Sequence, residues 1–449
     1  MDEEGRQRVR ANASGGEVDW LRTLPEALQW HVLLNLPTKD VVKTSLVYSK
    51  WRHLWRYVPG LDLDCRNFKE YNDVVSFIDK FLSFNSESSL KKFKLRYNCV
   101  LDRQVTKETK TANLMRWINN VVDRKVQHLD VWWGEVDMPP TLYKCESLVS
   151  LKLADAILPN LESVSLPSVK VLDLVFVKFA NDLAFERLIS GCIVLESLTL
   201  HRNENDNVIV LNVSSKSLLS FCYNGSTKKG PHDDLVVSID TPKLEELQLS
   251  DHLTASFIIA NLSSLVEADI DVQFNFCFGK KFDPLDLPKG KMISNFLVGI
   301  SNAKNMIMSP TTLEVIYDAS RCEPLPLFAN LSSLSVHFDD NNWEILPNFM
   351  ESCPNLSYLV VESTTFSKEG ASIVTGPWCR LSSLEYVEII SPFEGDAIEM
   401  KFVSYLLENS PCLKKLTLSL EKYAGKESSI LRELLNIPRC SSSCQVVFI

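Results

Sequence analysis

The chain has 449 residues, of which 45% are hydrophobic and 23% are charged, values that are ordinary for a folded protein. Its 47 lysines and arginines against 57 aspartates and glutamates give a formal net charge of −10. That balance argues against nucleic acid as a partner, because neutralising phosphates requires a basic surface. The longest uncharged runs, such as Pro324–Phe338, fall short of the roughly 18 apolar residues that span a bilayer, so we expect no membrane insertion.

Residues 1–17 are polar and charged, and we expect them to be disordered. They contain no apolar stretch of a secretory signal, so we expect a protein that is not secreted and lies in the cytoplasm, the nucleus or both. The 12 cysteines include no C-x-x-C pair, and we interpret them as small buried hydrophobic side chains. The seven histidines are too far apart in sequence to share a helix face, so we expect no metal site and no cofactor.

Residues 18–60 are rich in apolar residues at helical spacing and predict three short helices. Pro25 suits the first turn of a helix that Pro37 ends, and Thr38 can cap the second helix. The third helix is predicted from a stripe of large side chains, Val47, Trp51, Leu54, Trp55 and Val58. Three helices this short cannot bury so many apolar groups among themselves, so they pack on the rest of the chain or are covered by a partner.

A second pattern, L-x-x-L-x-L with other apolar residues allowed, recurs from about residue 125. Its copies are Val126/Leu129/Val131, Leu148/Leu151/Leu153, Val169/Leu172/Leu174, Leu195/Leu198/Leu200, Leu218/Phe221/Tyr223, Leu244/Leu247/Leu249, Leu265/Ala268/Ile270, Leu331/Leu334/Val336, Leu356/Leu359/Val361, Leu384/Val387/Ile389 and Leu413/Leu416/Leu418. Their starts lie 21 to 29 residues apart except for one gap of 66 residues, in which we expect a weaker copy at Ala303/Met306/Met308. Such periods are those of leucine-rich repeats, in which only a stacked neighbour covers the apolar edge of each unit.

The predicted fold class is therefore an α/β leucine-rich-repeat solenoid, a curved parallel sheet with irregular or helical returns, preceded by the small three-helix region. Between the two, residues 61–124 carry two helical patterns around one strand-like alternation, Leu90–Tyr97. We interpret residues 61–124 as a linker and N-terminal cap that covers the first open edge of the solenoid.

The three-helix region resembles an F-box at Leu24-Pro25, at Leu36–Asp40 and at Trp51–Trp55. Its flank Tyr57–Asp64 looks like the form common in plant F-box proteins with leucine-rich repeats. Two residues depart from the family pattern, because Tyr48 replaces a small serine and Trp20 stands where an aliphatic residue is usual. One bulky misfit in a packed contact costs about 1–3 kcal/mol, which would weaken a partner's affinity.

The C-terminal part resembles the FBD domain that closes such chains, at residues 380–389, 402–418 and 437–448. The resemblance therefore covers essentially the whole length. It divides the chain into the disordered N-terminus (1–17), an F-box (18–60), the linker and cap (61–124), leucine-rich repeats (125–376) and an FBD domain (377–449).

The resemblance implies the substrate-recognition subunit of an SCF-type (Skp–cullin–F-box) E3 ubiquitin ligase. In that family the F-box docks on a Skp-family adaptor, which joins it to a cullin–RING scaffold, and the repeats hold the target protein. The subunit itself is not an enzyme. By match to the F-box motif, the adaptor-binding candidates are Leu24, Pro25, Leu28, Val32, Leu33, Leu36, Pro37, Val42, Val47, Trp51, Leu54 and Trp55. For Trp51 and Trp55 we favour packing inside the protein, since aromatic helix stripes are more often core.

Three other functions compete with this one. An enzyme is disfavoured because no nucleophile-elbow, phosphate-loop, dinucleotide-binding or zinc-protease motif occurs. A small-molecule co-receptor would need a pocket, and Lys92, Lys94 and Arg96 on one strand face are a modest basic cluster for a polyphosphate. A non-catalytic repeat adaptor with a weakened F-box, binding a partner without ubiquitin transfer, stays open because it needs the same scaffold. The outward repeat positions Lys152, Asp173, Thr199, Gln248 and Tyr358 name no particular target.

Overall fold

The computed structural model describes residues 24–47, 54–84, 86, 88–97, 105–203, 205–225, 235–275, 286–338, 345–363, 380–393, 395, 397–420 and 427–449. Within these residues, parallel strands stack in nearly sequential order into one long sheet, and helices, turns and a second small sheet return the chain. The α/β repeat fold expected from the sequence is therefore confirmed. None of the described helices is long and apolar enough to cross a membrane.

The strands of both sheets are short and follow one another at repeat spacing. They are β1 (Gly60–Asp64), β2 (Lys92–Arg96), β3 (His128–Asp137), β4 (Ser150–Leu158), β5 (Val171–Phe179), β6 (Ser197–Arg202), β7 (Val210–Ser214), β8 (Ser220–Asn224), β9 (Val236–Asp240), β10 (Glu246–Asp251), β11 (Ser256–Asn261), β12 (Glu267–Val272), β13 (Asn305–Met308), β14 (Ser333–Phe338), β15 (Tyr358–Ser363), β16 (Tyr386–Phe393), β17 (Lys415–Leu420) and β18 (Gln445–Phe448). Those of the main sheet lie in the order β1-β2-β3-β4-β5-β6-β8-β10-β12-β13-β14-β15-β16-β17-β18, and every pairing in it is parallel.

The repeat template sets the register of the main sheet. Leu129 lies opposite Leu151, and Leu151 lies opposite Leu172, all of them buried. A slip of one residue would turn this row to solvent, so burial fixes the pairing. The weaker copy predicted in the long gap is confirmed, because Met306 pairs with Ala268 on one side and Leu334 on the other.

The main sheet begins earlier than the repeat template predicts. Strands β1 and β2 precede residue 125 and pair in parallel with each other, and β2 pairs with β3. The same template does occur there, at Val58/Leu61/Leu63 and Leu90/Phe93/Leu95, and these residues are buried. These starts lie farther apart than those of most later copies, owing to helices inserted between the strands, so the spacing did not predict them. Residues 61–124 therefore contribute strands to the main sheet itself.

Helices return the chain over most of its length. They are α1 (Glu26–Asn35), α2 (Thr38–Val47), α3 (Tyr71–Ser83), α4 (Lys107–Asp123), α5 (Asp182–Ser190), α6 (Leu287–Ile300), α7 (Pro310–Ser320), α8 (Ile345–Glu351), α9 (Ala397–Asn409) and α10 (Glu427–Asn436). Between β6 and β12 the returns are strands instead, and β7, β9 and β11 form a second parallel sheet in the order β11-β9-β7. The FBD-like segment continues the main sheet with β16, β17 and β18.

The cysteines that the structure describes include both buried and exposed ones. Those that precede a repeat copy by three residues, Cys145, Cys192 and Cys353, are buried as expected, and burial raises the pKa of Cys192 to about 12. A thiol held protonated in this way is unreactive. For Cys412 and Cys440 the interpretation as buried fillers is wrong, because both are exposed near the C-terminal end.

Candidate adaptor interface and polar face

Two prolines predicted from the sequence bracket α1. Pro25 precedes the helix, and its carbonyl accepts a hydrogen bond from the N–H of Gln29 at 3.1 Å. The Gln29 side chain donates to the carbonyl of Leu24 at 2.7 Å, which holds the entering chain against the first turn. The helix ends at Asn35, and Pro37 lacks the N–H that would continue it.

One side of α1 faces into the molecule. Leu33 is only 1% exposed and packs with Val41 of α2 and with Val58. Half-buried side chains surround this small cluster: Trp30, Leu34, Leu36 and Trp55. Leu33 therefore holds the two helices together, and its side chain is not available on the surface.

Two apolar side chains of α1 nevertheless face solvent. Leu28 is 50% exposed and Val32 is 38% exposed, and their spacing of four residues places them on one helix face. Pro25 and Pro37 are exposed at the two ends of the helix. We call Pro25, Leu28, Val32 and Pro37 the α1 face. On α2, Leu46 is 85% exposed, which the sequence analysis did not single out.

The remaining candidates are less accessible or only partly described. Leu24 and Leu36 are half-buried, as is Val42, which lines a groove of about 540 Å³ between α2 and the first two strands. The predicted third helix is replaced at Leu54–Tyr57 by a 3-10 turn, because Pro59 and the start of β1 follow at once. Outside the described residues lie Trp20, Tyr48 and Trp51 and the side chains of Val47 and Leu54.

Trp55 connects the F-box-like region with the repeats. It is half-buried and packs edge-on against Phe84, with ring centroids 5.5 Å apart. The guanidinium of Arg56 lies over both rings, 5.6 Å from that of Trp55 and 5.3 Å from that of Phe84. These contacts place Trp55 at the joint with the segment that follows α3, as the packing interpretation expects.

Outward side chains of the main sheet alternate with the core residues, and we call the surface they form the polar face. At its N-terminal end five in-register residues alternate in charge: Asp62, Lys94, Asp130, Lys152 and Asp173. The Lys94 ammonium lies 3.9 Å from Asp62 and 3.6 Å from Asp130, and that of Lys152 lies 3.1 Å from Asp173. Thr199 and Gln248 continue this row, whereas Tyr358 lies one row away.

The basic cluster on β2 is balanced by neighbouring carboxylates. Lys92 bonds to Asp62 at 2.8 Å, and Arg96 lies opposite Asp64 in the neighbouring strand. The pKa of Asp64 lies below its usual value because Arg66 donates hydrogen bonds to it, with a smaller contribution from Arg96. Each of these cations therefore has an acidic neighbour, which leaves little positive charge for a polyphosphate.

Farther along the polar face lies a group of acidic side chains. Asp271 accepts hydrogen bonds from His252 at 3.1 Å and Thr311 at 2.9 Å, and the bond from His252 lowers the pKa of this carboxyl. Burial raises the pKa of Asp269, and the charge of Asp271 adds to that effect. This part of the polar face therefore carries negative charge, which is balanced mainly by His252.

Comparisons with known proteins cover the whole chain. Family models match it for the F-box domain at residues 21–62, for the LRR repeats of FBD-associated F-box protein At5g56370 at residues 114–261, and for FBD at residues 374–418. Its relatives include FBD-associated F-box protein At1g66310 of Arabidopsis thaliana, 62% identical over 448 residues and 100% of both chains. Putative F-box/FBD/LRR-repeat protein At1g66300 of the same plant is 60% identical, again over 100% of both chains. The resemblance seen in the sequence is confirmed, and the chain belongs to the F-box/FBD/LRR-repeat protein family.

Proposed function

We propose that this protein is the substrate-recognition subunit of an SCF-type E3 ubiquitin ligase. The observation that carries the proposal is the α1 face, where Leu28 and Val32 remain half exposed beside two prolines on a region matched by the F-box model. Short helices leave such a surface uncovered when a partner supplies the missing half of the core. The partner is a Skp-family adaptor, and through it a cullin–RING scaffold.

In this assembly the twelve candidate residues divide by accessibility. Pro25, Leu28, Val32 and Pro37 touch the adaptor, with Leu24, Leu36 and Val42 at the margin. Leu33 and Trp55 contribute through packing within the protein. Leu33 holds α1 against α2, and Trp55 packs on Phe84 where the F-box meets the repeats. For Val47, Trp51 and Leu54 the role rests on the F-box motif alone.

The protein performs no chemistry in this scheme. It holds a target on the repeats while the adaptor fixes the F-box to the scaffold. This arrangement raises the local concentration of target lysines near the enzyme that carries ubiquitin. A firm connection between F-box and repeats matters for this task, since a loose one would spread the target over many positions. We place the assembly in the cytoplasm, the nucleus or both.

Co-purification of the full chain with a Skp-family adaptor tests the proposal. The wild-type chain should recover the adaptor at 1:1, and a Leu28→Asp/Val32→Asp variant should lose at least about tenfold in recovery, because charge enters an apolar contact. Both side chains are exposed, so the variant keeps its fold by circular dichroism. The matched control is Ile193→Asp/Leu327→Asp, which places the same charges on residues 69% and 62% exposed in the repeats.

Two results would overturn the proposal. If the wild-type chain, folded by circular dichroism, recovers no adaptor, the F-box is defunct and the protein is a free-standing repeat adaptor. If the control loses the adaptor as fully as the α1 variant does, recovery does not pass through the α1 face. Should the adaptor bind, blocking the proteasome separates a degradation receptor, whose targets accumulate, from an adaptor whose partner levels do not respond.

A further inference from the structure

Three neighbouring strands each carry an irregularity at the same edge of the polar face. Along β4 the buried positions step by two up to Leu153 and then by three to Ala156. Along β5 they likewise step by three, from Leu174 to Val177, and the pairing of β3 with β4 shifts register near Gly134. Such bulges add one outward residue to a strand and re-aim its side chain.

The added residues adopt a backbone conformation that L side chains rarely tolerate. Asp155 and Phe176 both have φ of 53°, and they follow the paired residues Ala154 and Val175 directly. A left-handed conformation is unfavourable for phenylalanine, and glycine would hold the same turn without that penalty. Strain of this kind persists only where the surrounding structure over-determines it, and it clusters at functional sites.

The strained turns present two large rings to solvent with a carboxylate between them. Trp132 is 48% exposed on β3 and Phe176 is 47% exposed on β5. From β4 the Asp155 carboxylate accepts a hydrogen bond from the indole N–H of Trp132 at 2.7 Å. The carbonyl of Phe176 is held by the side chain of Asn203 at 2.8 Å, which fixes the second turn. We call Trp132, Asp155 and Phe176 the rim patch.

Among the described residues, Asp155 lacks the ion-pair partner that three acidic residues near it have. On the polar face Asp130 lies near Lys94 and Asp173 pairs with Lys152, and at the rim Glu135 pairs with Lys178 at 2.7 Å. Among the residues that the structure describes, Asp155 forms no ion pair, and its bond to the indole leaves its negative charge uncompensated. The rim patch therefore combines two exposed aromatic rings with one unneutralised carboxylate.

This combination suits a positively charged side chain. Trp132 and Phe176 stand two strand spacings apart, which is about 10 Å, with Asp155 on the strand between them. A cation midway would lie within the roughly 6 Å at which aromatic rings attract it, directly beside the carboxylate. Guanidinium fits better than ammonium, because its planar group stacks on rings while its N–H groups bond the carboxylate in a fork.

We propose that the rim patch is a recognition site for an arginine side chain in an extended or loop segment of the target protein. The proposal deepens the function proposed above, since it rests on the repeats holding a target and gives that target a chemical feature. The bulges are the device that turns Asp155 and Phe176 outward, and the arginine supplies the missing positive charge.

The probe is a phage-displayed library of random 12-residue peptides, selected on the immobilised full chain and, in parallel, on its Asp155→Asn variant. Asparagine keeps the shape and accepts the left-handed backbone, so the variant removes only the charge. Peptides enriched on the wild-type chain alone should share an arginine. A synthetic copy should bind at least tenfold more weakly, by fluorescence anisotropy, to the Asp155→Asn and Trp132→Leu variants, or when its own arginine is replaced by glutamine.

The matched control is Asp173→Asn, which removes a carboxylate that already has its lysine, and it should leave peptide affinity within twofold of wild type. Peptides that bind Asp155→Asn as well as wild type, peptides enriched without arginine, or no enrichment on the wild-type chain would each overturn the proposal. The selection needs no adaptor. If the peptide selection fails while the adaptor is still recovered, only the arginine site is disproved. If the peptides bind as expected but no adaptor is recovered, the ligase function is disproved and the arginine site stands.

Discussion

The hydroxyl oxygen of Thr38 accepts a hydrogen bond from the backbone N–H of Asp62 at 2.8 Å, which joins the second F-box helix to the first strand of the repeats. Thr38 is 4% exposed, so water competes little for this bond. Beside it the ammonium of Lys39 donates to the side chain of Asn67 at 2.7 Å. The F-box and the repeats therefore meet through specific polar contacts as well as through Trp55.

Removing that hydroxyl should weaken the joint. A Thr38→Val variant keeps the shape but leaves the partly buried N–H of Asp62 without its acceptor, so we expect the free energy of unfolding to fall by about 1–2 kcal/mol. Urea unfolding measures the change. The control is Thr44→Val in the same helix, whose hydroxyl bonds only to the carbonyl of Val41 within its own helix, and it should cost less. Equal losses would mean that the joint bond contributes nothing beyond a helix-propensity effect.

Two phenylalanines with the same strained backbone should differ strongly in their response to glycine. Phe176 and Phe274 both have φ of 53°, but Phe176 is 47% exposed and Phe274 is fully buried against Phe257 and Phe296. Phe176→Gly should change the free energy of unfolding by less than about 1 kcal/mol, because relief of strain offsets the lost contacts. Phe274→Gly should lower it by about 3 kcal/mol or more, because a core ring is lost. If Phe176→Gly lowered the free energy of unfolding as much as Phe274→Gly, the Phe176 side chain would serve packing. That result would contradict its assignment to a recognition site at the rim patch.

A buried ion pair next to the second sheet should be sensitive to the loss of one partner. The guanidinium of Arg202 bonds to both carboxylate oxygens of Asp206 and to the carbonyl of Val208, and both side chains are at most 4% exposed. Burial alone would lower the pKa of Arg202, but the hydrogen bonds and charge of Asp206, together with Tyr223, outweigh burial and raise that pKa. An Asp206→Ala variant leaves the buried Arg202 cation without its carboxylate partner, so we expect a loss of about 3–5 kcal/mol in the free energy of unfolding.

A double variant and a surface pair give the controls for that experiment. Arg202→Met/Asp206→Leu removes both charges and should cost less than Asp206→Ala alone, because no charge is left unpaired. Glu196→Ala breaks the pair with Lys170, whose two side chains are about half exposed, and should cost less than about 1 kcal/mol. If Asp206→Ala cost as little as Glu196→Ala, that result would contradict the expectation that the Arg202–Asp206 pair is isolated from water.

The sequence predicted most strands of the main sheet because alternation of apolar residues determines directly which side of a strand is buried. Met306 and Met308 illustrate this, since the template located β13 although neither residue is leucine. The second sheet was missed because its strands, such as Val210–Ser214, lie between successive copies of the template, where its period predicts no strand. For the rim patch the only signal in the sequence is weak: the apolar positions of β4 and β5 are separated by three residues at one point instead of two.

The α1 face could be predicted only in part, for a different physical reason. Leu28, Val32 and Leu33 all fit one helical apolar stripe, and spacing alone does not tell which of them a partner would meet. Packing decides it: Leu34 approaches Gly60 so closely that a β-carbon there would lie 2.7 Å from its methyl group. That approach turns Leu33 inward and leaves Leu28 and Val32 outside. Contacts between segments distant in sequence therefore select the exposed residues.

The pair formed by His252 and Asp271 should make stability depend on pH near neutrality. The hydrogen bond to Asp271 raises the pKa of His252 above its ordinary value of 6.5, against the opposing effect of burial, and the same bond lowers the pKa of Asp271. The contribution of His252 is fully present below 6.5 and is lost as the pH rises through its higher folded value. That of Asp271 is present above 3.8 and is lost as the pH falls through its lowered folded value, so the pair stabilises most between these limits.

A His252→Gln variant isolates this effect, because glutamine can still donate a hydrogen bond but carries no charge. The melting temperature of the wild-type chain should exceed that of the variant by more at about pH 6 than at about pH 8.5. Thr311 and Ser250 also donate to Asp271 and do not titrate in this range, and the nearby charge of Asp251 acts in the same direction as Asp271. A difference in melting temperature that stays constant between the two pH values would show that the imidazole is neutral in the folded protein and contributes only a hydrogen bond.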